Sequence, residues 1–327
     1  MLELAFSTED VLHIRFAFSS LWEAVVSVRA LRHPADRALH LPWVRRARAA
    51  LADAGTDLGP LLDLVLAPTH YIPDFLTPPP TTPVPDLAAE LAAMRATTAD
   101  QVRADLVRLG PAAGPFAGRL ADDPASGLAE LADVLREYWE VALAPDWPRI
   151  RGLLEGEVAY RARRLAEGGA YLLFGDLHER VSWSGDTLYV RHQHWHRSRA
   201  LDGRGLVLVP SVFAWPWVYT ISEPPWQPTL LYPPRGVATV WEAGRASGPA
   251  ALAAVLGRAR AALLAELEAP ASTTELARRT GLTAGGVSQQ LTALRGAGLV
   301  VAHRAGRVVL YARTAVADAL LTASTGR

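Results

Sequence analysis

Apolar residues recur at three- and four-residue intervals through most of the first 170 positions. Leu21, Val25, Val28 and Leu31 share one side of such a repeat, and Ser7-Thr8-Glu9-Asp10 ahead of them has the hydroxyls and acids of a helix start. The same spacing predicts helices over 86–110, about 126–143 and 146–168, the last with Leu153, Leu154, Val158 and Leu165 on one face. These stripes read as the core of a bundle. Between them, Thr77 to Pro85 is too rich in proline to continue a helix or to donate along a ladder, which predicts an extended connector. From Tyr171 the texture turns to strands. Residues 180–184 and 187–192 flank Gly185-Asp186 as a hairpin, and 206–212 and 216–222 follow as short strands.

The helical repeat returns near Ala250. Residues 250–267 read as one Ala- and Leu-rich helix stopped by Pro270. Ser272, Thr273 and Thr274 offer capping oxygens for a short helix, Thr274 to Thr280, that Gly281 ends. Thr283 caps the next helix, Ala284 to Gly296, whose Val287, Leu291 and Leu294 must face a core. At roughly 100° per residue, Ser288, Gln289, Thr292 and Arg295 point the other way, with Gly285 also outward and Gln290 on the flank. Leu299 to His303 and Arg307 to Tyr311 are strand runs joined by Arg304-Ala305-Gly306, a tight basic tip. The pattern predicts an α+β protein in three parts: a helical N-terminal body over 1–170, a β-rich, Trp-rich segment over 171–245, and a C-terminal winged helix-turn-helix over 250–327.

Composition sharpens this division. The net charge is zero, but residues 251–327 hold nine arginines against Glu266, Glu268, Glu275 and Asp318, a formal +5 that leaves −5 on the first 250. A basic end on an acidic body suits a polyanion at one end and a different task at the other. The chain lacks Cys, Lys and Asn, so disulfides, thiolate metal sites and Cys nucleophiles are excluded and Arg is the only strong cation. No apolar run approaches the ~20 residues of a membrane span, and a cytoplasmic protein is expected.

The uncharged polar face of residues 284–296 suits a major groove. Gln pairs with adenine through two bonds, Ser and Thr serve bases or phosphates, and glycine permits close backbone approach. Arg304 and Arg307, helped by His303 and Arg313, are expected to hold phosphates or reach a minor groove.

Thr273 to Thr283 (TTELARRTGLT), Gly286 to Val300 (GVSQQLTALRGAGLV) and Arg304 to Tyr311 (RAGRVVLY) resemble an ArsR-type regulator. The resemblance covers only the chain from about Ala251. It implies a homodimer joined through Ala251–Leu264 and a last helix near Ala315–Leu321, bound to double-stranded DNA at an inverted-repeat operator. Ser288, Gln289 and Thr292 would then read bases and Arg295, Arg304 and Arg307 hold phosphates, with Thr283, Gly285 and Gln290 completing the DNA-binding set. The sequence departs from metal-sensing members in lacking their paired Cys, so a thiolate sensor is excluded. The body, with Asp74-Phe-Leu-Thr-Pro-Pro-Pro80 and Gly205-Leu-Val-Leu-Val-Pro-Ser211, resembles the large uncharacterised domain that some actinobacterial ArsR-like proteins carry ahead of the winged helix.

Two other features have competing readings. All ten Trp precede Gly244; Trp183, Trp195, Trp215, Trp217 and Trp226 either line a pocket for a small apolar or aromatic effector or fill the core where helices meet sheet. His192, His194 and His196 would share one face of a strand, with neighbours about 7 Å apart. They offer either a zinc site lacking an evident third ligand or a polar, protonatable cluster. No nucleophile elbow or phosphate loop accompanies Asp176, Glu179 and Asp186. The expectation is therefore a regulator, with no enzyme activity, cofactor or metal. The alternatives are a winged-helix protein–protein module and a metal-dependent enzyme using the His cluster.

Overall fold

At the start of the chain Ser7 and Asp10 close a capping box. Ser7 Oγ accepts from the Asp10 amide at 3.2 Å, and the Asp10 carboxylate accepts from the Ser7 amide at 2.8 Å, at the head of α1 (Thr8–Leu12). The computed structural model describes residues 1–65, 71–111, 113–191, 196–241, 249–305 and 308–325. They fall into two compact units, Met1–Trp241 and Glu242–Arg327.

In the N-terminal unit α2 (Ser20–Arg32) is the central helix, buried on every side from Ser20 to Leu31. A helix so placed must satisfy its end without water. Ser19 Oγ accepts from the Trp22 amide at 2.9 Å, and Glu90 accepts from the Leu21 amide at 3.0 Å and from Ser19 Oγ. Around it lie α3 (Leu41–Ala54), α4 (Gly59–Leu64), α5 (Leu87–Arg95), α6 (Ala99–Leu109), α7 (Pro115–Asp122), α8 (Pro124–Tyr138) and α9 (Trp147–Phe174). The helix expected over 86–110 is thus two helices, because Thr98 and Gln101 form a second capping box that starts α6. Helix α9 outruns its expected end and kinks at Gly168-Gly169, where Gly169 takes φ 62° and ψ −154°. The connector from Thr77 to Pro85 lies along α2: Trp22 Nε1 donates to the Pro78 carbonyl at 3.1 Å, and the Phe18 amide to that of Pro83 at 2.9 Å.

Residues 1–170 are not purely helical, which corrects the sequence expectation. Strand β1 (Leu2–Ala5) is antiparallel to β4 (Thr187–Val190) and parallel to β5 (Arg197–Ala200), and β3 (Val181–Ser184) completes the order β3-β4-β1-β5. In β1 Leu2 and Leu4 point inward around Glu3, a period of two too brief to stand out from helical sequence. Strand β2 (Arg15–Phe16) lies beside β6 (Val207–Pro210), and β8 (Thr229–Tyr232) and β7 (Tyr219–Ile221) extend the sheet to β2-β6-β8-β7. Its two central strands are buried on both faces. Val207, Val209 and Leu231 join the helical core, while Leu208, Leu230 and Tyr232 join a second core with Leu2, Leu4, Leu173 and Phe174.

The two layers are tied by Glu23. Its fully buried carboxylate accepts from the Val212 amide at 2.7 Å, the Phe213 amide at 3.2 Å and Ser211 Oγ at 2.8 Å. Burial pushes its pKa up to about 7, outweighing the three donors that favour the ion. Glu90 is likewise raised to about 7 by burial.

In the C-terminal unit the single helix expected over 250–267 is two, α10 (Pro249–Leu256) and α11 (Arg258–Glu266). Gly257 breaks it with φ 85° and ψ 149°, a conformation open to glycine and strained for other residues. Ser272 caps α12 (Thr273–Thr280) through the Glu275 amide at 3.2 Å, and Gly281 ends it at φ 73°. Helix α13 (Ala284–Gly296) follows with the expected bounds. The hairpin β10 (Val300–Ala305) and β11 (Val308–Arg313) takes β9 (Ala271–Ser272) as a third strand on β11, and α14 (Ala315–Thr325) closes the unit. No described helix is long and apolar enough to cross a membrane.

Candidate nucleic-acid interface

Helix α13 is held by one stripe and one cap. Val287, Leu291 and Leu294 enter a core with Leu263, Leu264, Leu276 and Val300, and Thr283 Oγ1 accepts from the Gly286 amide at 3.2 Å. The opposite side is fixed by that anchoring. Thr283, Gly285, Ser288, Gln289, Thr292 and Arg295 are all exposed, and a Cβ at Gly285 would meet nothing within 4 Å, so the first turn stands clear. Thr292 Oγ1 donates to the Ser288 carbonyl at 2.9 Å, leaving its lone pairs outward as acceptors. These residues form one polar strip at the N-terminal and middle turns, with a cation at the last.

Gln290 is placed differently. It is half-buried, and its Oε1 accepts from Arg260 Nε at 2.9 Å, which ties α13 to α11. Its amide is thus drawn toward the scaffold.

The hairpin carries Arg304 opposite Val309 and His303 opposite Leu310, both side chains exposed. Arg307 lies outside the described residues. Arg313 does not stand free as the sequence suggested: its Nε pairs with Asp318 at 2.8 Å and its Nη1 donates to the Leu264 carbonyl at 3.3 Å, fastening β11 to α14 and α11. A cation the sequence reading passed over is Arg278, exposed in the last turn of α12, while its neighbour Arg279 pairs with Glu275. Two adjacent arginines at a helix end were the available signal; both are exposed, and the fold pairs Arg279 with Glu275.

The tryptophans divide between cores. Trp183 stacks on Phe174 at 5.3 Å and meets Phe6 edge-on at 5.1 Å in the second core. Trp215 and Trp226 pack, half-buried, against the first core, and Trp217 lies beneath the Arg180 guanidinium at 4.2 Å. Trp195 falls outside the described residues, as do His192 and His194. His196 is exposed and sits 3.7 Å from Glu3. Of the acids near these histidines in sequence, Asp176 accepts from Tyr160 Oη at 2.7 Å and pairs with the buried Arg161, a structural engagement.

Residues 257–302 match the family model of a helix-turn-helix domain, and residues 92–238 match that of a family of unknown function (DUF5937). No curated protein and no solved structure matches the chain. The helix-turn-helix match spans α11, α12, α13 and the start of the hairpin, the elements that present the polar strip. A helix-turn-helix match at the C-terminus behind a domain of a family of unknown function fits an ArsR-type regulator with a large N-terminal domain, and the helix-turn-helix match supports a DNA-binding transcription regulator.

Proposed function

We propose that the chain is a dimeric, cytoplasmic repressor that reads an inverted-repeat operator with α13 and releases or takes hold of it in response to a small molecule sensed by the N-terminal unit. The observation that carries this reading is the strip of Ser288, Gln289 and Thr292, exposed and uncharged on a helix whose other side is fixed in a core. Side chains of this kind discriminate bases, whereas Arg295, Arg304 and Arg307 supply affinity that is indifferent to sequence. Thr283 and Gly285, at the head of the helix, admit it closely to the groove. Gln290 serves the interface indirectly, by fixing the roll of α13 against Arg260.

Dimerisation is assigned to α10 and α14. Val255 is 83% exposed, and Val316 and Leu320 are 58% and 38% exposed, apolar side chains that a second copy would cover. Two recognition helices so joined meet half-sites about one turn of DNA apart, or a multiple of it. Repression follows from occupancy at a promoter.

A mobility-shift titration on DNA selected from a random pool, and on the DNA upstream of the chain's own coding sequence, tests this reading. Arg304→Ala/Arg307→Ala should weaken binding to all sequences alike and lower the salt slope by about one for each phosphate no longer neutralised. Gln289→Ala should cost about 1–3 kcal/mol and relax the preference at one base position per half-site. A folded wild type that retains no DNA at low salt defeats the reading and leaves a protein-binding module. Sedimentation showing only monomer at micromolar concentration would remove the dimer.

A further inference from the structure

Two guanidinium groups lie inside the N-terminal unit with no carboxylate to meet them among the described residues. Arg29 of α2 is 5% exposed, and Arg37, on the 3-10 helix Pro34–His40, is 3% exposed. Nη1 of Arg29 and Nη2 of Arg37 converge on one atom, the hydroxyl oxygen of Tyr219, at 3.2 and 2.8 Å. Their other bonds run to carbonyls, Arg29 to that of Tyr71 at 3.0 Å and Arg37 to those of Phe213 and Trp215 at 2.6 and 2.8 Å. Arg29 Nε is enclosed and has no acceptor at all.

The neighbours supply donors and no anion. His40 is fully buried, and its Nδ1 must accept from Trp241 Nε1 at 2.8 Å because an indole nitrogen only donates. Nε2 therefore bears the proton, enclosed and without an acceptor, while burial and the nearby Arg37 hold the ring neutral, its pKa down at about 3. The carboxylates near Tyr71 are engaged elsewhere. Asp74 and Asp105 face Arg108 at 2.9 and 3.5 Å, and Asp105 also accepts from Tyr71 Oη at 2.8 Å and the Phe75 amide at 2.9 Å. Burial alone would raise the Tyr219 phenol; the two guanidiniums outweigh it and draw it below the ordinary tyrosine value.

A buried cation without an anion is among the most costly arrangements in a protein interior, and two that converge also repel. The phenol oxygen marks the point where both forks already aim, and a carboxylate oxygen there would turn two bonds to a neutral acceptor into ion pairs. The surroundings are aromatic and partly exposed: the Arg29 guanidinium lies over the Tyr219 ring at 5.2 Å, and Trp215, whose carbonyl accepts from Arg37, meets His40 edge-on at 6.2 Å, while Tyr71 accepts from Arg29 through its carbonyl and turns its own ring beneath Arg108. Tyr219 also sits on β7, at the edge of its sheet, where a side chain turns aside without disturbing a central strand.

We propose that Arg29 and Arg37 form the effector site of the N-terminal unit and bind a carboxylate carried on a flat aromatic body, the carboxylate displacing the Tyr219 hydroxyl. This rests on the reading of that unit as a sensor. Arg29 Nε, on the guanidinium that already meets Tyr219, is the donor in reserve for the second carboxylate oxygen, and the rings of Tyr219 and Trp215 receive the aromatic body.

The test is a titration of the full chain with benzoate, read by tryptophan fluorescence and by calorimetry without DNA, with benzamide as the neutral isostere. Benzoate should bind saturably and benzamide should not. Arg37→Met should weaken benzoate at least about tenfold, as loss of a charge-assisted hydrogen bond requires. Tyr219→Phe, which keeps the ring and removes the competing hydroxyl, should tighten it several-fold. That second variant keeps the question open to measurement if Arg37→Met does not fold. The proposal is overturned if wild type and Tyr219→Phe, both folded, show no saturable response to about 10 mM benzoate, a range that captures even millimolar binding. It is equally overturned if benzamide binds as well as benzoate, or if a folded Arg37→Met binds benzoate like wild type. A chain that shifts DNA yet ignores benzoate loses only this site, whereas benzoate binding that leaves DNA retention unchanged keeps the site and removes the effector reading.

Discussion

Helices α2 and α13 are both 13 residues long and both begin on a hydroxyl cap, Ser19 in one and Thr283 in the other, yet they do opposite work. Helix α2 is enclosed from Ser20 to Leu31, so the polar groups it carries meet partners inside the unit. Glu23 ties three donors of residues 211–213, Ser27 Oγ bonds the Ala24 carbonyl at 2.7 Å and Tyr138 Oη at 2.6 Å, and Arg29 reaches Tyr71 and Tyr219. Helix α13 buries only Val287, Leu291 and Leu294, and Ser288, Gln289, Thr292 and Arg295 are left outward, while Gln290 alone of its polar strip turns to the scaffold. A polar residue inside a core must find its partners there or bring one in; the same residue opposite a narrow apolar stripe faces solvent and whatever docks from it.

The comparison breaks most readily at Glu23. Glu23→Ala leaves the Val212 and Phe213 amides and Ser211 Oγ unpaired in a dry core, and should lower stability by about 3–5 kcal/mol in urea unfolding. Gln289→Ala on the exposed face should change stability by less than about 0.5 kcal/mol. Similar losses for the two would erase the distinction drawn between the helices.

A pH series sharpens it further. The folded pKa values of Glu23 and Glu90 are raised to about 7 from 4.5, so the folded chain binds more protons than the unfolded one within that window. Their contribution is therefore intact below pH 4.5 and is lost as pH climbs through 7, by up to about 3 kcal/mol per group. His40, held at about 3, has the opposite sign and acts below its unfolded value of 6.5. Thermal midpoints between pH 6.5 and 8 should fall in wild type and fall less in Glu90→Gln, whose carboxamide oxygen still accepts from Leu21; an unaltered slope would count against a buried, titrating Glu90. A smaller loss belongs to the cap of α13. Thr283→Ala should cost the C-terminal unit about 1 kcal/mol in thermal unfolding, with Thr283→Ser restoring most of it.

What could be read from the sequence follows from how local each determinant is. The bounds of α13 were legible because its stripe, its Thr283 cap and the flanking glycines lie within one short stretch. The break at Gly257 was not, since one glycine in an Ala- and Leu-rich run costs only about 1 kcal/mol when it stays helical, and the run alone gives no reason to stop. At the candidate interface, the exposed Ser288, Gln289 and Thr292 follow from helical geometry. Engagement of Gln290 by Arg260 and of Arg313 by Asp318 depends on which elements meet, which periodicity does not encode. The same holds for Arg29 and Arg37, ordinary arginines in the sequence until the chain brings Tyr219 between them.

Strand β1 imposes an order on synthesis. It is made before α1 to α9, but both neighbours that complete its hydrogen bonding, Thr187–Val190 and Arg197–Ala200, are made only after them. At roughly 5–20 residues per second the nascent chain carries this strand unpaired for on the order of ten seconds or more. The helical layer can therefore begin to assemble around α2 before the strands that complete the β3-β4-β1-β5 sheet exist, and that sheet closes onto helices already made.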